Sequence, residues 1–305
     1  MPWRRTKDPY AIWVSEIMLQ QTQVSVVMPY YERWMARFPS VGSLAAATEE
    51  EALQLWQGLG YYRRAKSLLS GAKHVVEHGF PSEVIGWKKV PGVGDYTAGA
   101  ICSIAYNLAV PLVDGNVERV YARLNGDRSS GPDLSKAAWR WAEENVAPSA
   151  PGDWNQGLME LGATVCTPRE PSCSACPIKL NCRAFLRGLT NELPVASPKP
   201  EIKRLNQTMW VLICDGQIHL THSVAGEWWA GMYLLPTVDE QPTEGWVEDL
   251  GRLTYSITNH RIKADVKLVR LESAMEGYVL HPLDAIQSLP IPAPHRKALA
   301  LYQRI

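Results

Sequence analysis

Apolar positions along the chain follow two periods, and the change from one to the other divides it. From residue 8 to 190 the spacing is helical, with Ile12, Trp13, Ile17 and Leu19 or Gln20 making the first stripe. Asp8-Pro9 supplies an N-cap followed by proline at the first helical position. Breaks at Phe38-Pro39-Ser40, Gly58-Leu59-Gly60, Gly79-Phe80-Pro81 and Pro91-Gly92-Val93-Gly94 cut the remainder into helices of ordinary length. Past Thr190–Lys203, where Pro194, Pro198 and Pro200 stand among polar residues as an extended linker, the period becomes two. Met209–Cys214, Asp215-Gly216 and Gln217–Thr221 predict a hairpin, because Asp-Gly suits a type I′ turn. Leu253–Ile257 and Ile262–Val269 read as further strands, and a last helix is expected from about Pro294 to Arg304. The prediction is a multidomain chain: an all-α domain over residues 1–190, a linker over 191–205 and an α+β domain over 206–305.

Composition changes this picture little. The chain has 305 residues, 46% of them hydrophobic, with 31 Lys and Arg balancing 31 Asp and Glu. A zero net charge gives no sign of a nucleic-acid partner, so any DNA-binding face must be a local patch. No apolar run approaches the roughly 18 residues that span a bilayer, so no membrane partner is expected. Met1-Pro2-Trp3-Arg4-Arg5 has no apolar stretch after its charges and is not read as a signal peptide. Cys102 and Cys214 lie alone in apolar runs and are read as core thiols in a reducing, cytoplasmic setting.

The other four cysteines carry chemistry. Cys166-x6-Cys173-x2-Cys176-x5-Cys182 brings four thiols within 17 residues, enough to surround one metal centre. A zinc ribbon pairs two C-x2-C knuckles, whereas Cys173 and Cys176 form the one knuckle here, which favours a [4Fe–4S] cluster over zinc. Arg169, Lys179, Arg183 and Arg187 make the same loop basic, a surface suited to phosphate. A second feature is Val90–Gly99, whose Gly92 and Gly94 permit a tight turn at a helix start with N–H groups pointing outward. Such a corner grips a phosphate without reading sequence.

Together with Leu112-Val113-Asp114-Gly115-Asn116-Val117 and Trp13–Gln23, these motifs resemble the helix–hairpin–helix DNA glycosylase superfamily, and within it the MutY branch. The resemblance covers nearly the whole chain. It implies an all-α glycosylase domain with the helix–hairpin–helix at about 84–105, an iron–sulfur loop at 166–182 and a C-terminal Nudix-like domain. It further implies a monomer acting on double-stranded DNA with adenine opposite 8-oxoguanine or guanine.

The site residues follow by the same resemblance. Glu16, on an apolar helix, would have its pKa raised by desolvation and protonate the adenine. Asp114 would stabilise the oxocarbenium-like sugar, and Asn116 would orient the carboxylates. Tyr96 stands where the endonuclease III branch has a lysine that attacks the sugar. Tyrosine cannot form that imine, so base excision without efficient strand cleavage is expected, apart from weak cleavage by Lys88 or Lys89. Gln21 and Tyr61 would fill the stack that a flipped base vacates. Trp3, Arg4, Leu19 and Glu160 would line the adenine pocket, while Trp56, Tyr62 and Trp87 are read as core.

In the C-terminal third, Gly226–Pro236 resembles the start of a Nudix-like fold, without the glutamate-rich hydrolase box. MutY relatives inspect 8-oxoguanine with a Phe-Ser-His triplet. This chain offers Ile257-Thr258-Asn259-His260-Arg261, and the triplet maps either onto Ile257-Thr258-Asn259, the favoured choice, or onto Thr258-Asn259-His260. Apolar positions are odd at Tyr255 and Ile257 and even from Ile262 to Leu268, so a turn or bulge is expected at 258–261. The arginine that relatives carry shortly before the Pro2-Trp3 position has no counterpart here. Two other readings stand beside this one: a glycosylase/lyase for oxidised pyrimidines, and a catalytically silent iron–sulfur protein that binds DNA.

Overall fold

A computed structural model describes residues 1–196, 198, 201–237 and 246–302. Pro200 of the expected linker and Arg304 at the end of the expected last helix lie outside them. A short 3-10 turn at Pro2–Arg5 opens the chain. The helices that follow are α1 (Pro9–Leu19), α2 (Val24–Arg37), α3 (Val41–Ala45), α4 (Glu49–Trp56), α5 (Arg63–His78), α6 (Val84–Trp87), α7 (Asp95–Tyr106), α8 (Gly115–Asn125), α9 (Gly131–Asn145), α10 (Pro151–Thr164) and α11 (Arg183–Leu186). The strands are β1 (Lys203–Cys214), β2 (Gln217–His222), β3 (Tyr233–Leu234), β4 (Val247–Ile257), β5 (His260–Arg270) and β6 (Val279–Pro282), and α12 (Ala293–Tyr302) closes the chain.

The chain divides into two compact units: Met1–Gly42 with Ser70–Lys199, and Ser43–Leu69 with Pro200–Ile305. In the first, local chemistry sets the helix ends. The Asp8 side chain accepts from the Tyr10 N–H at 3.0 Å and starts α1. Asp114 does the same for α8, which ends at Gly126 with φ +64°. Helix α1 is buried from Tyr10 to Met18, Glu16 included, with the Trp13 ring 5.7 Å from Trp87. Helix α7 lies so close to the following chain that a Cβ on Gly99 would collide with the Pro111 carbonyl oxygen. Trp87 is fully buried, as read from the sequence.

In the second unit the sheet runs β3-β2-β1-β5-β4, with β6 paired to β2. The predicted hairpin forms, pairing Cys214 with Gln217, and Asp215 and Gly216 take φ +46° and +72° as a type I′ turn demands. The second pair of strands is longer than expected, because Ile257 pairs with His260 across a turn of two residues. That turn absorbs the phase change read at 258–261. Strand β5 also pairs in parallel with β1, from Lys203 opposite His260 to Ile213 opposite Arg270. Met209, Val211, Val266 and Leu268 of these strands form a core with Ala298 and Leu299 of α12. Within this unit Trp56 and Tyr62 are buried, again as read from the sequence.

Candidate active site, thiol loop and recognition turns

Burial of an acid among apolar residues is the first fact of the site. Glu16 sits on α1 with 5% of its surface exposed. Desolvation raises its carboxyl pKa above the ordinary 4.5, and the Asp114 charge adds to the rise. The Tyr96 hydroxyl and the Arg4 charge pull the other way. Tyr96, on the first turn of α7, donates its hydroxyl to Glu16 Oε2 at 2.6 Å and also lies 3.3 Å from Met159 Sδ. Burial, then the Glu16 charge, pushes the Tyr96 pKa far above its usual value, so it acts as a neutral donor. Glu16, Tyr96, Arg4 and Asp114 therefore occupy one electrostatic neighbourhood.

Asp114 is held by the helix it caps. Its Oδ1 accepts from the backbone N–H groups of Asn116 and Val117 at 2.9 and 2.8 Å, and its Oδ2 from Asn116 Nδ2 at 2.8 Å. These donors, at the positive end of the α8 dipole, leave the carboxylate one orientation. Asn116 is fixed in turn by Arg119, which donates 2.8 Å to its Oδ1, 2.7 Å to the Gly162 carbonyl and 2.8 Å to the Cys166 carbonyl. One helical turn on, Arg123 donates to Cys166 Sγ at 3.3 Å and to the Thr167, Pro168 and Leu193 carbonyls. Sequence reading missed both arginines. Their spacing from each other along α8 was visible, but nothing local marks a buried arginine apart from a solvated one.

None of the six cysteines is in a disulfide. The thiol of Cys173 is raised first by burial and then by Cys166, Cys182 and Cys176, so the four sulfurs lie within electrostatic reach. Among the described residues no group of three or more His, Cys, Asp or Glu is gathered as a single metal ion requires. Four thiolates that each bind a different iron stand farther apart than four on one ion. Four thiols are the donor type that an iron–sulfur cluster takes, and Arg123 donates to one of them.

The predicted DNA-backbone and pocket residues occupy plain positions. Gly92 takes φ +81°, and a Cβ on Gly94 would meet nothing within 4 Å, so packing alone does not require that glycine. Lys88 pairs with Asp95 at 2.5 Å across this corner. Trp3 is buried with its ring 5.0 Å from Tyr31. Leu19 is half-buried at the end of α1, next to Gln20, whose amide donates to Thr97 Oγ1 at 3.3 Å. Glu160 is exposed, and its only close cation is Arg4 at 3.9 Å among the described residues.

Three of the residues expected to contact DNA share an unforeseen property. Gln21, Tyr61 and Thr258 all have left-handed φ, at +55°, +50° and +50°, and all are exposed. Asn107, Glu170 and Asp215 are also exposed with left-handed φ, so the backbone alone does not mark a site. Tyr61 belongs to the second unit and is 57% exposed, with the Arg64 guanidinium 5.3 Å from its ring centre. At the other turn, Asn259 donates to the Glu201 carbonyl at 3.0 Å, so its amide is engaged by the fold. Thr258 Oγ1 stands 3.5 Å from His260 Nδ1, and the His260 ring packs edge-on to Trp228 at 5.1 Å.

A helix–hairpin–helix corner beside a buried acid and a helix-capping aspartate defines a class of protein. Residues 14–144 match the family described as HhH-GPD superfamily base excision DNA repair protein. Among solved structures, the chain is similar to a thermostable thymine-DNA glycosylase, with a TM-score of 0.56 and 29% identity over 61% of this chain and 88% of that one. Among curated proteins it is 40% identical to the adenine DNA glycosylase of Homo sapiens over 291 residues, 90% of this chain and 48% of that protein. It is 32% identical to the adenine DNA glycosylase of Buchnera aphidicola subsp. Schizaphis graminum over 78% of this chain and 70% of that protein. The chain belongs to the adenine DNA glycosylase family. It spans 40–48% of the length of the first curated relatives it matches.

Proposed function

We propose that the protein removes adenine mispaired with 8-oxoguanine or guanine in double-stranded DNA by hydrolysing the N-glycosidic bond, without cutting the strand. The observation that carries this reading is the Tyr96–Glu16 hydrogen bond: a buried acid is held by a tyrosine where a lyase needs an amine. Donation to Oε2 leaves Oε1 as the oxygen with the mobile proton, which passes to N7 of a flipped adenine as the bond to the sugar breaks. Asp114, its oxygens pinned by Asn116 and the α8 N-terminus, supplies the negative charge that the sugar cation needs. The Glu16 carboxylate then takes a proton from the attacking water. Gly92 and Gly94 hold the DNA backbone, Trp3, Arg4, Leu19 and Glu160 border the base pocket, and Gln21 and Tyr61 fill the vacated stack.

Cys166, Cys173, Cys176 and Cys182 would hold a [4Fe–4S] cluster, which when bound staples the basic loop into one shape. The C-terminal unit reads as Nudix-like, supported by its mixed sheet, the packing of α12 and the Gly226–Pro236 loop. Thr258, Asn259 and His260 at its β4–β5 turn are the side chains that would face the opposite base, with the Thr258 hydroxyl and the Asn259 amide oriented by the Ile257 and Glu201 carbonyls. Duplexes carrying adenine opposite 8-oxoguanine, adenine opposite guanine, and thymine glycol test the reading, each analysed with and without alkali. Cutting of the adenine strand only after alkali is expected. Cutting without alkali, or cutting at thymine glycol, would overturn it.

A further inference from the structure

The turn that presents Tyr61 is built into the C-terminal domain by residues the chemistry above does not use. Gln57 follows α4, and both ends of its amide are bonded. Its Nε2 donates to the Ile291 carbonyl at 2.6 Å, and its Oε1 accepts from Arg296 Nη2 at 3.1 Å. Arg296, on α12, also donates to the Leu289 carbonyl at 2.6 Å and the Gln287 carbonyl at 3.2 Å, so its guanidinium has a fixed place. Ile286, Leu289 and Ile291 beside it belong to the core under the sheet. On the other side of Gln57 the chain turns through Gly58 and Gly60 at φ +97° and +76°. The Gly60 carbonyl accepts from Trp56 Nε1 at 3.0 Å and from Arg64 Nη2 at 3.2 Å. Tyr61 emerges from this frame with its own strained backbone.

A loop with two left-handed glycines has many conformations when free, and ordering it on binding costs affinity. Here that ordering is already done, and the C-terminal domain does much of it. We infer that Gln57 and Arg296 are positioning residues that lock the Tyr61 loop to the C-terminal domain, so that wedging into the DNA stack and reading of the opposite base are done by one rigid body. The inference rests on the proposed reading of Tyr61 as the wedge.

The test uses the full chain in a Glu16→Gln background, so that the duplex is not consumed. The duplex carries 2-aminopurine stacked beside an adenine–8-oxoguanine pair. Its fluorescence at saturating protein reports disturbed stacking, and a titration gives the affinity. Tyr61→Ala is expected to abolish the fluorescence rise. Gln57→Leu should lose most of it and weaken binding about three- to tenfold, the worth of one or two hydrogen bonds. Gln57→Glu, which keeps the acceptor for Arg296, should lose less. A purely structural role would lower the melting temperature while leaving the saturated fluorescence untouched. A wild-type fluorescence rise in Gln57→Leu overturns the inference, and if that variant does not fold, an undiminished rise in Gln57→Glu does so. A full rise in Tyr61→Ala refutes the wedge reading itself, and the inference falls with it.

Discussion

Glu16 is kept where its charged form is disfavoured, and that choice ties stability to chemistry. Burial raises its pKa, so folding prefers the protonated acid. The stability that the neutral acid gives is complete below the ordinary carboxylate range and is lost as pH climbs through the raised value. Glu16→Gln, neutral at every pH, is therefore expected to melt higher than the wild type near pH 8, with the gap closing as pH falls toward that range. The same variant should lose about 10²- to 10⁴-fold in single-turnover excision. Retained excision would remove Glu16 as the proton donor. Tyr96→Phe makes the complementary case. Its hydroxyl lowers the Glu16 pKa, so its loss should carry the alkaline limb of the rate profile to higher pH, read by single-turnover rates from about pH 5 to 10. A limb that does not move would mean that another group titrates. At this scale the acids were legible because each stands in a distinctive string. The partners Met159, Arg119 and Arg123 were not, since they reach the site from α10 or from further along α8.

Among elements, α8 and α10 show how packing sets the geometry around Asp114. A Cβ on Gly162 would come 2.6 Å from Asn116 Cβ and 3.1 Å from its carbonyl oxygen, displacing the residue that pins Asp114. A Cβ on Gly157, on the same helix, would meet nothing within 4 Å. Gly162→Ala is expected to cost about 1–3 kcal/mol by overpacking and to slow excision at least about tenfold. Gly157→Ala should be neutral or stabilising by up to about 1 kcal/mol. Calorimetry and single-turnover rates check both, and equal behaviour of the two variants would refute this account. The elements themselves were largely readable. Caps at Asp8 and Asp114, the Asp215-Gly216 turn and the period-two runs are local signals with local causes. The parallel pairing of β1 with β5 was not readable, because it joins segments some sixty residues apart and leaves no mark on either.

At the scale of the whole molecule, one unit is made of two stretches of chain far apart in sequence. Periodicity could not reveal this, since residues 43–69 are helical and read as part of the helical domain. Their attachment depends on side chains such as Gln57, whose partners come more than two hundred residues later. A protease cut confined to residues 191–198 should therefore leave the two fragments bound. Size-exclusion chromatography of the nicked protein would show one peak holding both, and separate elution without denaturant would contradict the discontinuous unit.

That discontinuity also fixes the order in which the protein can be born. The stretch with Trp56 and Gln57 leaves the ribosome more than two hundred residues before Ile291 and Arg296. At about 5–20 residues per second, the first piece waits roughly ten to fifty seconds for the second. Through that interval Gln57 lacks the Ile291 carbonyl and the Arg296 guanidinium, so the Tyr61 loop gains this part of its frame only after the C-terminal stretch has folded.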